Sequence, residues 1–79
     1  MEDSEERLTD ILSKVLLIEP EELSDDIRRK EYEPWDSMAH LLLVSEIENE
    51  FGIFFEDEEV VEMWTVGDVK AALREKMAT

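Results

Sequence analysis

Ser37 lies between an acid, Asp36, and the only histidine of the chain, His40, and this set of residues could act on a carbonyl or phosphoryl group. A serine hydroxyl becomes a nucleophile when a neighbouring imidazole takes its proton. Residues three apart on a helix share a face, so Ser37 and His40 could meet. A hydrolase also needs a group that orients the imidazole and an oxyanion hole, and the sequence contains no Gly-x-Ser-x-Gly elbow. The hydrolase interpretation is therefore disfavoured, and His40 is expected to stack on Trp35 or to be partly exposed.

The charge of the chain limits which partners it can bind. The 79 residues include 23 acidic and 8 basic side chains, which gives a formal net charge of −15. Nucleic-acid binding needs Lys and Arg to neutralise phosphates, so we expect no nucleic-acid partner. The same charge disfavours anionic membrane surfaces and favours partners that present a basic patch.

Metal binding is not predicted. The chain has no cysteine and one histidine, whereas zinc sites usually use several such ligands. The acidic run at residues 56–59 lacks the Asp-x-Asp-x-Asp-Gly pattern of a calcium loop. Its acids instead suit the N-terminus of a helix, where the helix dipole favours negative charge.

Length and apolar content indicate one small folded domain over residues 1–79. Apolar residues make up 43% of the chain, enough for a modest core and too many for a typical disordered acidic tail. No apolar run approaches the roughly 20 residues that a membrane span needs, so no membrane insertion is expected. The first six residues are mostly acidic and do not resemble a signal or transit peptide, which favours a cytoplasmic location.

Apolar residues at helical spacing predict an all-α fold, a four-helix bundle in which the third helix is short. The predicted helices are about Glu5–Leu17, Ser37–Phe51, Asp57–Met63 and Val66–Lys76. Asp3 or Ser4 could cap the first helix, and Thr65 with Asp68 forms a capping box for the fourth. Residues 19–36 form a long polar loop between the first two helices, a kind of segment that is often functional.

The second helix places Ser37 in its first turn. Asp36 is a good N-cap before it, and Gly52 is a natural residue to end it. Apolar residues lie on two sides of this helix. The core stripe consists of Leu43, Val44, Ile47 and Phe51. The residues away from that stripe, which the core does not obviously require, are Met38, Leu41 and Leu42.

The tripeptide Asp36-Ser37-Met38 resembles the attachment motif of the acyl carrier proteins, which is Asp-Ser-Leu at the start of their second helix. Three later landmarks fall at the family's spacing. They are residues 46–53, similar to the family's Glu-Glu-Glu-Phe block, the acids 57–59, and Thr65-Val66 at the last helix. The tripeptide alone is a weak signal, but with these landmarks the resemblance covers nearly the whole chain.

The resemblance implies a carrier and not an enzyme. It implies that a phosphopantetheinyl transferase attaches 4′-phosphopantetheine from coenzyme A to Ser37, with Asp36 and Met38 flanking the site. The arm would hold acyl cargo as a thioester, taken from a loading enzyme and presented to downstream acyl-processing enzymes. Such carriers usually work as monomers, so a monomer is expected.

The resemblance also implies which face of the second helix meets partners. Beyond Asp36 and Met38, that face includes Leu41, Leu42, Ser45, Glu48 and Asn49. Carriers of fatty-acid synthesis usually have acids two and five residues after the serine, whereas this chain has Ala39 and Leu42. The more apolar face predicts dedicated partners in a specialised pathway, such as a secondary-metabolite or surface-polysaccharide cluster.

The cargo stays open at this point. An aminoacyl or peptidyl carrier has the same arm, although peptidyl carriers more often have Gly before the serine, so Asp36 favours acyl cargo. A non-carrier acidic interaction module would explain the charge but not the motif. A carried acyl chain could fold back between the second and third helices, or the residues there could simply fill the core. Those residues are Leu43, Ile47, Phe55, Val60 and Met63.

Overall fold

Four α-helices make up the fold. The computed structural model describes the backbone of residues 2–78 and the side chains of residues 4–78. The helices are α1 (Glu2–Leu16), α2 (Ser37–Phe51), α3 (Asp57–Val61) and α4 (Val66–Ala78). The predicted all-α bundle with a short third helix is confirmed, and no strand forms in the part of the chain that is described. None of these helices is long and apolar enough to cross a membrane.

The boundaries of α1 differ from the prediction at both ends. Asp3 and Ser4 lie inside its first turn, so the predicted cap at these residues is wrong. Acids in a first turn suit the helix dipole, which explains why the helix extends back to Glu2. The helix ends one residue early, because Leu17 takes a left-handed backbone with a φ of 58°. The N–H of Ile18 then donates to the Ser13 carbonyl at 3.1 Å, a typical helix-terminating bond.

The long connection between α1 and α2 is tied both to the end of α1 and to the start of α4. It contains a single 3₁₀ turn at Pro20–Glu22. The Tyr32 hydroxyl donates to the Leu16 carbonyl at 3.1 Å and so ties the connection to the end of α1. Arg28 and Thr65 form an isolated antiparallel bridge, which ties it to the start of α4. This loop is therefore a structural part of the bundle.

The core lies between α1, α2 and α4, with side chains from the connecting segments added to it. The apolar side chains of α1 from Leu8 to Leu16 are buried, and so is the predicted core stripe of α2 except for Phe51, which is half-buried. α4 buries Val66, Val69 and Leu73. The connecting segments contribute Trp35, Phe55 and Met63.

Ion pairs join α1 to α2 on the outside of the core. The Arg7 side chain donates to Glu50 at 2.6 Å, and Lys14 lies 3.5 Å from Glu46. The Arg7 guanidinium also lies 5.1 Å from the centre of the Phe51 ring. Exposed pairs of this kind contribute at most about 1 kcal/mol each, so packing and not charge holds the two helices together.

The last two helices differ from the predicted bounds by two residues each. α3 ends at Val61 and not at Met63, and the Met63 N–H closes a turn onto the Val60 carbonyl at 3.3 Å. Met63 still points into the core, where it is 1% exposed. α4 continues past Lys76 to Ala78, because neither Met77 nor Ala78 is a helix breaker.

Candidate functional site

The first turn of α2 carries the candidate serine. Asp36 has an extended backbone, and its carboxylate accepts the Ala39 N–H at 2.9 Å, which confirms the predicted N-cap. Ser37 is the first helical residue and is exposed to solvent. Its hydroxyl makes no hydrogen bond among the described residues. The hydroxyl is therefore accessible and is not committed to the fold.

The same turn has free capacity for an anion. The first N–H groups of a helix have no acceptor within the helix, and Asp36 satisfies only the one that belongs to Ala39. The positive end of the helix dipole adds to the attraction, and the first turn of α2 contains no acid. A phosphodiester on the Ser37 hydroxyl would lie near these groups. The residues present thus fit a phosphate-linked group at this position.

His40 and Trp35 form a buried hydrogen-bonded pair behind the serine. Trp35 Nε1 donates to His40 Nδ1 at 3.1 Å, and the two ring centres are 5.9 Å apart. His40 is only 3% exposed, so the expectation that it could be partly exposed is wrong. Its other nitrogen, Nε2, lies 2.8 Å from the Val60 carbonyl oxygen. The predicted contact between His40 and Trp35 is confirmed.

The environment of His40 favours the neutral form of its ring. An indole N–H can only donate, so Nδ1 must be the acceptor and Nε2 must carry the proton that reaches Val60. Burial lowers the pKa of His40 below its ordinary value of 6.5, the Val60 carbonyl opposes that shift, and the charge of Arg29 lowers the pKa further. Because both nitrogens are engaged, His40 cannot act as a base for Ser37. The hydrolase interpretation therefore has no support in the geometry.

The predicted partner face of α2 is exposed for most of its length. Met38, Leu41 and Leu42 are 79%, 65% and 52% exposed, and Ser45 and Asn49 are also exposed. These are large apolar side chains that the fold leaves in solvent. Such a cluster on a small protein indicates a surface that meets another molecule.

Glu48 differs from the rest of that face. It is half-buried, and its carboxylate accepts the Phe55 N–H at 2.9 Å. One carboxylate oxygen of Glu48 therefore fixes the link between α2 and α3. The role predicted for Glu48 in binding partners is joined by a structural one that the sequence did not indicate.

The sequence did not identify Phe54 and Val61 as exposed apolar residues. Phe54 is 82% exposed and lies in the link between α2 and α3, and Val61 at the end of α3 is 57% exposed. The neighbouring Phe55 is buried and Ile53 is half-buried. Alternating exposure along an extended link is the one signal in Ile53-Phe54-Phe55 that could have identified Phe54.

The residues predicted to surround a carried acyl chain are brought together as packed core. Leu43, Ile47, Phe55 and Met63 are buried, and Val60 is half-buried against them. A groove of about 600 Å³ lies elsewhere, between α1 and α4, and is lined in part by Leu8, Leu73 and Met77. In this structure, the residues between the second and third helices fill the core, as the second of the two alternatives predicted.

A comparison with family models identifies the family of this chain. The family described as phosphopantetheine attachment site matches residues 6–73, which is most of the chain and includes every predicted site residue. The domain of this family attaches a 4′-phosphopantetheine prosthetic group, which confirms the predicted cofactor. The match does not separate acyl from aminoacyl or peptidyl cargo.

Proposed function

Because the chain belongs to the phosphopantetheine attachment family, we propose that it is an acyl carrier protein whose arm is attached at Ser37. One observation carries this assignment. Ser37 is an exposed serine at the first position of a capped helix, and its hydroxyl forms no hydrogen bond among the described residues. Catalysis is left to partner enzymes, since a carrier needs only an anchor and a surface that they can bind.

The attachment step is a phosphoryl transfer to Ser37. The Ser37 oxygen attacks the phosphorus that bears the pantetheine in coenzyme A. A new oxygen–phosphorus bond forms, the pyrophosphate bond breaks, and adenosine 3′,5′-bisphosphate leaves. The hydroxyl proton passes to a base of the phosphopantetheinyl transferase, because His40 is engaged on both nitrogens. The chain contributes exposure, orientation and a helix N-terminus that stabilises the phosphate charge.

The charge around Ser37 works in both directions. Asp36 and the net charge of −15 oppose a phosphodiester, whereas the free N–H groups of the first turn favour it. When bound, the arm supplies a thiol that holds the cargo as a thioester. Since Ser37 projects from the end of α2, the cargo can reach an active site in another protein while the bundle stays folded.

The partner face favours enzymes with an apolar centre and a basic rim. Its centre consists of Met38, Leu41 and Leu42, and the chain around it is strongly acidic. We assign the transferase, the loading enzyme and the downstream acyl-processing enzymes to this face. The apolar centre supports dedicated partners in a specialised pathway. A single domain over residues 1–79, a monomeric state and a cytoplasmic location are part of the same proposal.

Acyl cargo is favoured over aminoacyl or peptidyl cargo because Asp36, and not Gly, precedes the serine. The aminoacyl carrier remains the second candidate, because it needs the same arm and a comparable face. Holo-protein incubated with acyl-activating or amino-acid-activating enzymes and ATP would separate the two candidates. Intact mass spectrometry then reports whether an acyl or an aminoacyl thioester forms.

The attachment itself is tested by incubating the protein with coenzyme A and a broad-specificity phosphopantetheinyl transferase. We expect the wild type to gain the mass of one phosphopantetheine and Ser37→Ala to gain nothing. Ser24→Ala is the control, because it removes an exposed serine outside the partner face and should be modified like the wild type. A modified Ser37→Ala variant, or an unmodified wild type, would contradict the proposal. In the second case the acidic interaction module becomes the leading hypothesis.

A further inference from the structure

His40 joins three parts of the molecule that meet behind Ser37. It belongs to α2, it accepts a hydrogen bond from Trp35 in the preceding connection, and it donates to the Val60 carbonyl of α3. Trp35 is two residues before Ser37, and its side chain is 1% exposed. The position of the indole therefore fixes the backbone that leads into the first turn of α2.

α3 depends on such contacts from outside. It has only five residues, and a helix of that length is not stable on its own. Two carbonyls at its C-terminal end accept side-chain donors from other elements. Val60 accepts from His40 at 2.8 Å, and Val61 accepts from the Arg29 guanidinium at 3.1 Å. His40 thus holds α3 with one ring nitrogen and Trp35 with the other.

Protonation of the ring would affect only one of these two bonds. A proton on Nδ1 turns the acceptor of the Trp35 bond into a donor, so two N–H groups would face each other at 3.1 Å. The bond from Nε2 to Val60 would remain possible. The indole would then have to move, and with it the segment that begins the helix at Ser37.

The charged groups around the ring also favour its neutral form. Arg29 in the connection repels a positive His40. Asp36 is on the same helix, but its carboxylate is bonded to the Ala39 N–H. On α3, Asp57 and Glu58 are exposed, and Glu59 is bonded to Lys76 on α4 at 3.0 Å.

We propose that His40 is a positioning residue for Ser37. As the neutral ring protonated at Nε2, it clamps Trp35 to α3, and uptake of a second proton at Nδ1 releases Trp35 and loosens the first turn of α2. His40 does not touch the reacting atoms and acts only through Trp35. The consequence for attachment rests on the proposed function, whereas the clamp itself does not.

Nuclear magnetic resonance tests the clamp directly, because His40 is the only histidine and its signals need no assignment. In ¹⁵N-labelled wild-type protein we expect the tautomer with hydrogen on Nε2. Over a titration from about pH 8 to 5, the Trp35 indole and the Ser37 and Met38 amides should shift with the same midpoint as the ring. The proposal is wrong if the hydrogen is on Nδ1, or if the Ser37 and Met38 amide signals do not shift with the midpoint of the His40 ring.

The Trp35 bond is tested by Trp35→Phe, which removes the indole N–H and keeps an aromatic ring. The neutral ring loses the hydrogen bond that Nδ1 accepts, and the protonated ring no longer faces a second N–H group. The titration midpoint of His40 should therefore rise by about one pH unit. Trp64→Phe is the matched control and should leave the midpoint unchanged, since Trp64 makes no hydrogen bond to His40 and a phenyl ring keeps an aromatic face for Arg29. An unchanged midpoint in Trp35→Phe would contradict the clamp.

The effect on Ser37 is tested by the initial rate of phosphopantetheine attachment. The rate for wild type relative to His40→Gln, measured with the same transferase at each pH, should fall as the pH drops through the midpoint of His40. Gln keeps a donor and an acceptor but does not titrate, so a purely structural role predicts a constant ratio. If no attachment occurs at any pH, the proposed function fails while the resonance experiments still decide the clamp.

Discussion

The starts of α2 and α4 have similar local sequences and opposite exposure. A tryptophan precedes the capping residue in both, as Trp35-Asp36 and Trp64-Thr65. At α2 the tryptophan is 1% exposed and the first helical residue, Ser37, is open to solvent. At α4 the tryptophan is 43% exposed and the first helical residue, Val66, is completely buried.

The capping hydrogen bonds are also more complete at the start of α4 than at the start of α2. At α4 the Thr65 hydroxyl accepts the Asp68 N–H at 3.0 Å, and the Asp68 carboxylate accepts the N–H groups of Thr65 and Trp64. This confirms the predicted capping box. At α2 the cap works in one direction only, because Ala39 has no group that could return the bond to Asp36. A helix start becomes available for chemistry when its cap is left incomplete and its first residue faces solvent.

Two small substitutions, one at each helix start, should have opposite effects on attachment and on stability. Ser37→Ala should abolish phosphopantetheine attachment and change the free energy of unfolding by no more than about 0.5 kcal/mol, because an exposed side chain without partners is removed. Thr65→Ala should keep full attachment and cost about 1 kcal/mol, because a cap is lost. Intact mass spectra and urea denaturation measure both. Loss of attachment in Thr65→Ala would show that the two starts are not independent.

The two tryptophans should differ most in stability. Trp35→Ala removes a fully buried side chain together with its bond to His40, so a loss of about 3–5 kcal/mol is expected. Trp64→Ala removes a half-exposed ring whose centre lies 4.2 Å from the Arg29 guanidinium, so about 1 kcal/mol is expected. Denaturant unfolding followed by circular dichroism gives both values. Equal losses would contradict the difference in burial.

The two capping acids should have similar structural effects and different functional ones. Asp36→Ala and Asp68→Ala should each cost about 1 kcal/mol of unfolding free energy. Asp36 accepts the Ala39 N–H in the first turn of α2, and Asp68 accepts the N–H groups of Trp64 and Thr65 just before α4. Only Asp36→Ala should slow attachment, because the turn that it caps carries the serine. Initial attachment rates and urea denaturation, compared with wild type, check both statements. A slower Asp68→Ala would point to a transferase contact at α4.

The smallest change in stability is expected at exposed methionines. Met38→Ala in the first turn of α2 should leave the free energy of unfolding within about 0.5 kcal/mol of wild type, because the side chain is 79% exposed. The same substitution should weaken binding to a partner enzyme, measured by titration calorimetry with the transferase. Met77→Ala removes an exposed methionine from α4 and is the control with unchanged binding. Equal effects of both substitutions would remove Met38 from the partner face.

Features that depend on neighbouring residues could be predicted from the sequence. The Asp36 cap, the Thr65 and Asp68 box, and the end of α2 at Gly52 were all predicted, and Gly52 has the left-handed φ of 64° that such an end requires. These features need no knowledge of the tertiary structure, because every partner lies within a few positions.

Features set by distant partners could not be predicted. The second bond of His40 goes to Val60, twenty residues away, and the ring is buried at that contact. Glu48 is drawn into the fold by the Phe55 N–H for the same reason. The carbonyl of Val61, the last residue of α3, accepts a hydrogen bond from Arg29, which lies in another segment. The helical spacing of the sequence contains no information on such contacts.

The bridge between Arg28 and Thr65 has a mechanical consequence. The Arg29 N–H bonds to the Trp64 carbonyl at 2.7 Å, and the N–H groups of Val66 and Gly67 bond to Ile27 and Asp25 at 3.1 Å. These three bonds join the connection to Trp64 and to the first residues of α4. The start of α4 is therefore anchored by backbone hydrogen bonds to a segment that lies before α2 in the chain, so the connection and the last helix share one support.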